Sequence, residues 1–110
     1  MTDLSTVLGE KELVFMNFNG TWTPDPDGVG GRVEIRPAGN GFFTVKGNAD
    51  ERFGYACLTP RGNLFEIWKS ASSGEVGYRK WKMLSSSIVQ YEVFELNGKN
   101  LGSGRFFRQS

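Results

Sequence analysis

The chain contains no histidine and only one cysteine, Cys57. Without imidazole there is no usual general base at neutral pH and no Ser-His or Cys-His nucleophile pair. One thiol and no histidine also exclude the common zinc sites. A lone cysteine closes no intramolecular disulfide, and it reads as a small buried hydrophobe rather than a reactive thiol. No apolar run approaches the ~18 residues that a membrane helix requires. The opening residues, Met1-Thr2-Asp3-Leu4-Ser5, lack the basic and then apolar regions of a secretory signal. These absences predict a cytoplasmic protein with no membrane partner.

The carboxylates that are present do not assemble into a recognisable catalytic or metal-binding pattern. Asp25-Pro26-Asp27-Gly28 lacks the twelve-residue spacing and terminal Glu of a calcium loop. Gly28, Gly30 and Gly31 precede a strand pattern rather than a helix, so they form no phosphate cradle. Glu10 with Glu12, and Glu92 with Glu95, read as solvent-facing acids rather than a glycosidase pair. The expectation is a protein without catalytic residues, metal or cofactor.

What the chain does have is aromatic and glycine content. Its 110 residues make one domain, 1–110, and Phe, Tyr and Trp account for 14% of them. Each aromatic side chain buries ~150–250 Å², so one core forms without disulfides. The glycines, 15 in all, fall mainly between short apolar segments rich in aromatic and β-branched residues. Those segments are 12–18, 32–36, 42–47, 52–58, 63–69, 75–83, 88–96 and 103–108. They alternate with turn-forming runs such as Pro37-Ala38-Gly39-Asn40-Gly41, Thr59-Pro60-Arg61-Gly62-Asn63 and Asn97-Gly98. A short helix is expected over residues 3–10. Strands at this spacing with tight turns predict an all-β fold, antiparallel and up-and-down, whose eight strands close into a barrel.

Alternation assigns Val33 with Ile35, Phe43 with Val45, Phe53 with Tyr55 and Cys57, and Val89 with Tyr91 and Val93 to common faces. It blurs over 63–69 and 75–83, where Phe65, Trp68, Tyr78 and Trp81 place large rings on both faces. Bulges, a partner surface, or cover by the glycine-rich 24–31 loop each account for that blurring.

Asn17-Phe18-Asn19-Gly20-Thr21-Trp22 resembles the Phe-x-Gly-x-Trp opening of calycins, the group of lipocalins, intracellular lipid-binding proteins and avidins. The resemblance implies a barrel whose base is plugged by Trp22, with a C-terminal arginine, Arg105 or Arg108, packed across the indole. The chain departs from the group in two ways. Pro24 and Pro26 must halt or bulge the first strand almost at once, and the chain is short enough for aromatic side chains to fill the interior.

Three binding modes follow. A small apolar or aromatic ligand would lie among Tyr55, Trp68, Tyr78, Trp81 and Tyr91 at the barrel mouth. A protein partner would meet the outer face, or a loop at 101–105 carrying Gly102, Ser103 and Gly104. In that position the chain resembles small calycin-like cysteine-protease inhibitors. Single-stranded nucleic acid would use Tyr78-Arg79-Lys80-Trp81-Lys82 and Arg105-Phe106-Phe107-Arg108. Nucleic acid is the least expected, because the formal net charge is only +1. That charge is uneven: residues 1–51 carry eight acids against four bases, and residues 52–110 nine bases against four acids. A homodimer burying Trp68 and Trp81 would also explain the blurred alternation.

Overall fold

The structure, a computed structural model, describes residues 17–25, 31–47 and 52–109. Eight strands form within them: β1 Gly20–Thr23, β2 Val33–Gly39, β3 Phe42–Gly47, β4 Arg52–Leu58, β5 Leu64–Ser70, β6 Val76–Ser85, β7 Ile88–Glu95 and β8 Asn100–Arg108. Each pairs antiparallel with the next, and β8 returns to β1, closing the barrel. The segments expected at 42–47 and 52–58 coincide with β3 and β4. The first described strand, β1, begins after residues 17 and 18 of the expected 12–18 segment, which are not in a strand. It carries the Gly-x-Trp step itself and stops at Thr23, immediately before Pro24. The expected helix over 3–10 and residues 12–16 of the expected first strand lie outside the described residues.

Turn chemistry sets the register. Gly39, Asn40 and Gly41 all take positive φ (88°, 54° and 80°) in the tight link between β2 and β3, a conformation that asparagine and glycine tolerate. Pro37 falls beside a register shift in β2, where a missing ladder donor is tolerated. The β4–β5 turn is held by Gly62 N–H donating to the Thr59 carbonyl (2.9 Å) and Thr59 N–H to the Asn63 carbonyl (2.8 Å).

One end of the barrel is closed by Trp22. Its Nε1–H donates to the Phe18 carbonyl at 2.9 Å, and neither residue is exposed. Of the two arginines considered for the lid, Arg108 takes the role. Its guanidinium carbon lies 4.3 Å from the centre of the Trp22 ring. The same group donates to the carbonyls of Asn17, Asn19 and Ser86. Burial lowers the Arg108 pKa from its ordinary value. Gly20 belongs to this arrangement, because a Cβ there would overlap the Arg108 guanidinium.

Above this base, Val33, Ile35, Val45, Leu64, Trp81, Met83, Val89 and Phe106 form one buried apolar cluster with Trp22 and Phe18. At ~25 cal/mol per Å² of buried apolar area, these side chains supply the main stabilising contribution.

Candidate functional site

The barrel interior has two halves of different chemistry. Towards the closed end it is apolar and filled: Trp81, Tyr91 and Phe106 pack ring against ring with centroids 4.8–5.8 Å apart. Towards the other end, β5 and β6 carry a buried ion pair. Arg79 donates through Nε and Nη2 to the two oxygens of Glu66, at 2.6 and 3.1 Å. Trp81 Nε1–H also donates to Glu66 Oε1 at 2.9 Å. Both charged residues are sealed, Glu66 at 0% and Arg79 at 2% exposure. Gly54 on β4 faces Glu66 because a Cβ at that position would collide with the carboxylate.

Nearby, the Arg52 guanidinium lies 4.7 Å from the centre of the Trp68 ring. A cavity of about 190 Å³ remains beside the network, lined by Arg52, Arg79, Tyr91, Val93, Gly102 and Ser103 among others.

The five residues expected around an apolar ligand therefore divide. Trp68, Trp81 and Tyr91 point into the barrel, and both tryptophans are buried. Tyr55 and Tyr78 lie on the outside. Phe53, Tyr55 and Cys57 share a face as expected, but it is the outer one: Gly54 and Ala56 are the buried residues of β4. Small residues face inward at that point because the large inner side chains come from β5, with Gly54 opposite Trp68 and Ala56 opposite Glu66. Gly102, Ser103 and Gly104 are also placed differently from the expected loop. They belong to β8 and pair with Val93, Glu92 and Tyr91. Gly104 gives way to the Tyr91 ring, since a Cβ there would come within 2.9 Å of the hydroxyl.

On the outer face of β3–β7 several large apolar side chains remain in contact with solvent. Antiparallel register aligns them in rows across the sheet. One row runs Thr44, Tyr55, Ile67, Tyr78, Phe94, and the next runs Phe42, Cys57, Phe65, Lys80, Glu92. Tyr55 is 58% exposed, Ile67 55% and Phe42 51%. Phe65, Tyr78 and Phe94 stack, with centroids 5.6 and 4.8 Å apart and planes inclined by 25° and 13°. Period-two geometry resolves the blurred sequence pattern: β5 and β6 place Trp68 and Trp81 inside, and Phe65 and Tyr78 outside.

Cations border these rings. Lys46, Lys69, Lys80 and Lys82 are exposed on β3, β5 and β6, and Lys80 Nζ is 5.3 Å from the centre of the Phe94 ring. Between the 59–63 turn and the outer side of β5–β7 lies a half-open groove of about 600 Å³. It is lined by Arg61, Asn63, Phe65, Lys80, Lys82 and Gln90, with Glu92 as its acid.

Among the described residues no three His, Cys, Asp or Glu side chains gather where they would hold a metal, and no helix is long and apolar enough to cross a membrane. No family model, curated protein or solved structure matches the chain.

Proposed function

We propose that this is a non-catalytic binding protein of calycin-like architecture that holds a macromolecular partner on the outer face of β3–β7. The observation that carries this reading is the continuous row of exposed Tyr55 and Ile67 beside the stacked Tyr78 and Phe94. An apolar patch of that kind on a sheet whose core is already complete marks a contact surface. Support for the calycin-like description comes from Gly20-Thr21-Trp22 and from Arg108 packed over the Trp22 indole.

A small apolar ligand inside the barrel fits the geometry less well. Trp81, Phe106 and their neighbours occupy the apolar half, and the remaining cavity is flanked by two guanidinium groups. The strand pairing of Gly102–Gly104 likewise offers no projecting loop to a protease cleft.

The test is quantitative affinity capture from the source cell, comparing the native chain with a Tyr55→Ser/Ile67→Ser double variant. Recovery of a specific partner should fall sharply with the variant while its circular dichroism stays unchanged. Equal recovery would remove the outer face from consideration. Native mass spectrometry should find no small molecule carried in the barrel, and a stoichiometric adduct would move the site inside.

A further inference from the structure

We infer that the partner of this face is an acidic polypeptide segment bearing apolar side chains, seated in the groove beside the 59–63 turn and across the adjoining aromatic rows. The inference rests on the outer-face reading above and adds the chemistry of the partner.

Charge is the first argument. Arg61, Lys80 and Lys82 surround Phe65 in the groove, and Glu92 is the acid among its lining residues. Lys80 stands directly opposite Glu92 across β6 and β7, whereas Lys82 stands opposite Gln90. Lys82 and Arg61 thus leave an excess of positive charge at the groove, and Lys69 and Lys46 extend it across the sheet. A complementary partner carries carboxylates or phosphates there.

Ring geometry in the stacked trio then favours polypeptide over nucleic acid. Single-stranded nucleic acid binds by stacking bases on free aromatic faces. Tyr78 is sandwiched between Phe65 and Phe94, so both of its faces are taken, and one face of each neighbour is taken as well. Stacked in this way, the three rings offer a partner edges more than faces. Aromatic edges carry partial positive charge, which suits carboxylate and carbonyl oxygens and ordinary apolar packing. Asn63 and Gln90 add amide groups at the groove for backbone hydrogen bonds.

Two other modes are disfavoured by the same features. Each of β3–β7 is already paired on both sides, so this face offers no free edge to which a peptide strand could add. In a symmetric pairing of two copies through this face, the lysines of one face would approach those of the other, and like charges so placed repel.

Fluorescence anisotropy tests the inference with a short labelled peptide of alternating Glu and Leu, its Gln/Leu counterpart and an oligothymidylate, each at low and high salt. The Glu/Leu peptide should bind most tightly and weaken with salt. Lys80→Glu/Lys82→Glu should lower its affinity at least about tenfold, and Arg61→Glu, in the turn, should act in the same direction. Circular dichroism keeps loss of fold separate from loss of binding.

Tighter binding of oligothymidylate, equal binding of the uncharged peptide, or salt-dependent self-association by sedimentation would each overturn the inference. If the partner recovered in the capture experiment binds the charge-reversed variant as well as the native chain, the acidic class is wrong and the outer face stands. If Tyr55→Ser/Ile67→Ser leaves all binding unchanged, the outer face itself is wrong.

Discussion

Replacing Glu66 by Ala would take the paired carboxylate from the buried Arg79 guanidinium and remove the acceptor of the Trp81 indole. Glu66 is wholly buried and Arg79 nearly so, so the loss falls on groups that the native barrel shields from bulk water. Breaking a buried pair from one side costs about 3–5 kcal/mol, a large share of the ~5–15 kcal/mol that holds a domain together. At roughly 4 °C per kcal/mol for a chain of this size, the melting temperature should fall by roughly 12–20 °C. In urea the midpoint should drop by roughly 2 M, followed by tryptophan fluorescence.

The companion variant makes the reasoning sharper. Glu66→Leu/Arg79→Met replaces the whole pair with apolar volume, a change that ranges from neutral to about 1–4 kcal/mol stabilising. Against it stands the Trp81 Nε1–H left without its 2.9 Å acceptor, worth about 1–3 kcal/mol. These terms nearly cancel, so the double variant should be more stable than Glu66→Ala by at least about 2 kcal/mol. A single-variant loss below about 1 kcal/mol, or a double variant no better than the single, would refute the claim that burial governs this pair.

Other substitutions separate the remaining roles. Trp22→Ala should cost about 3–5 kcal/mol, and Arg108→Met should destabilise measurably, while Arg105→Met, on an exposed side chain, should stay within about 0.5 kcal/mol. Equal effects of the two arginine variants in thermal melts would contradict the assignment of Arg108 to the base. Gly77→Ala should cost about 1–3 kcal/mol by overpacking, because a Cβ there overlaps both the Trp68 ring and the Phe94 carbonyl; an unchanged melting curve would show that Trp68 moves aside freely. Tyr55→Ser and Ile67→Ser should each leave stability within about 0.5 kcal/mol in urea titrations, since both side chains already face water.

The strand count and the antiparallel closure were legible because turn residues and apolar periods are local signals. Asn40-Gly41, Gly62 and Asn97-Gly98 mark turns by their own backbone freedom, needing nothing from the rest of the chain. Facing was less legible. Phe53 and Tyr55 outweigh Gly54 and Ala56 in any hydrophobic pattern, yet the smaller pair faces inward because Glu66 and Trp68 arrive from β5 to fill that space. That competition for volume is a property of the pair of strands and is invisible along one of them. The buried pair was missed for a related reason: charged residues read as solvent-facing. Glu66 nevertheless keeps step with Leu64 and Trp68, and Arg79 with Gly77 and Trp81, all buried at alternate positions. Taking that period seriously across a charge would have found them. The outer aromatic rows needed the cross-strand register, which aligns Tyr55, Ile67 and Tyr78 from three separate segments.

The β1–β8 junction gives the Arg108 contacts a second meaning. Every other pair of strands joins neighbours in sequence, so those hairpins zip locally. This junction aligns only Trp22 with Arg108 and Thr23 with Phe107, drawn from opposite ends of the chain. Its closure entropy grows with the length of the intervening loop, which makes it a late event in folding and an early one in local opening. Until it closes, β1 and β8 present bare edges, and bare edges recruit strands from other molecules. Arg108, by fastening Asn17, Asn19 and Ser86 across that gap, acts as a latch against misassembly. Its loss therefore matters beyond the packing of the native barrel, because it lengthens the time during which the chain can pair with a stranger.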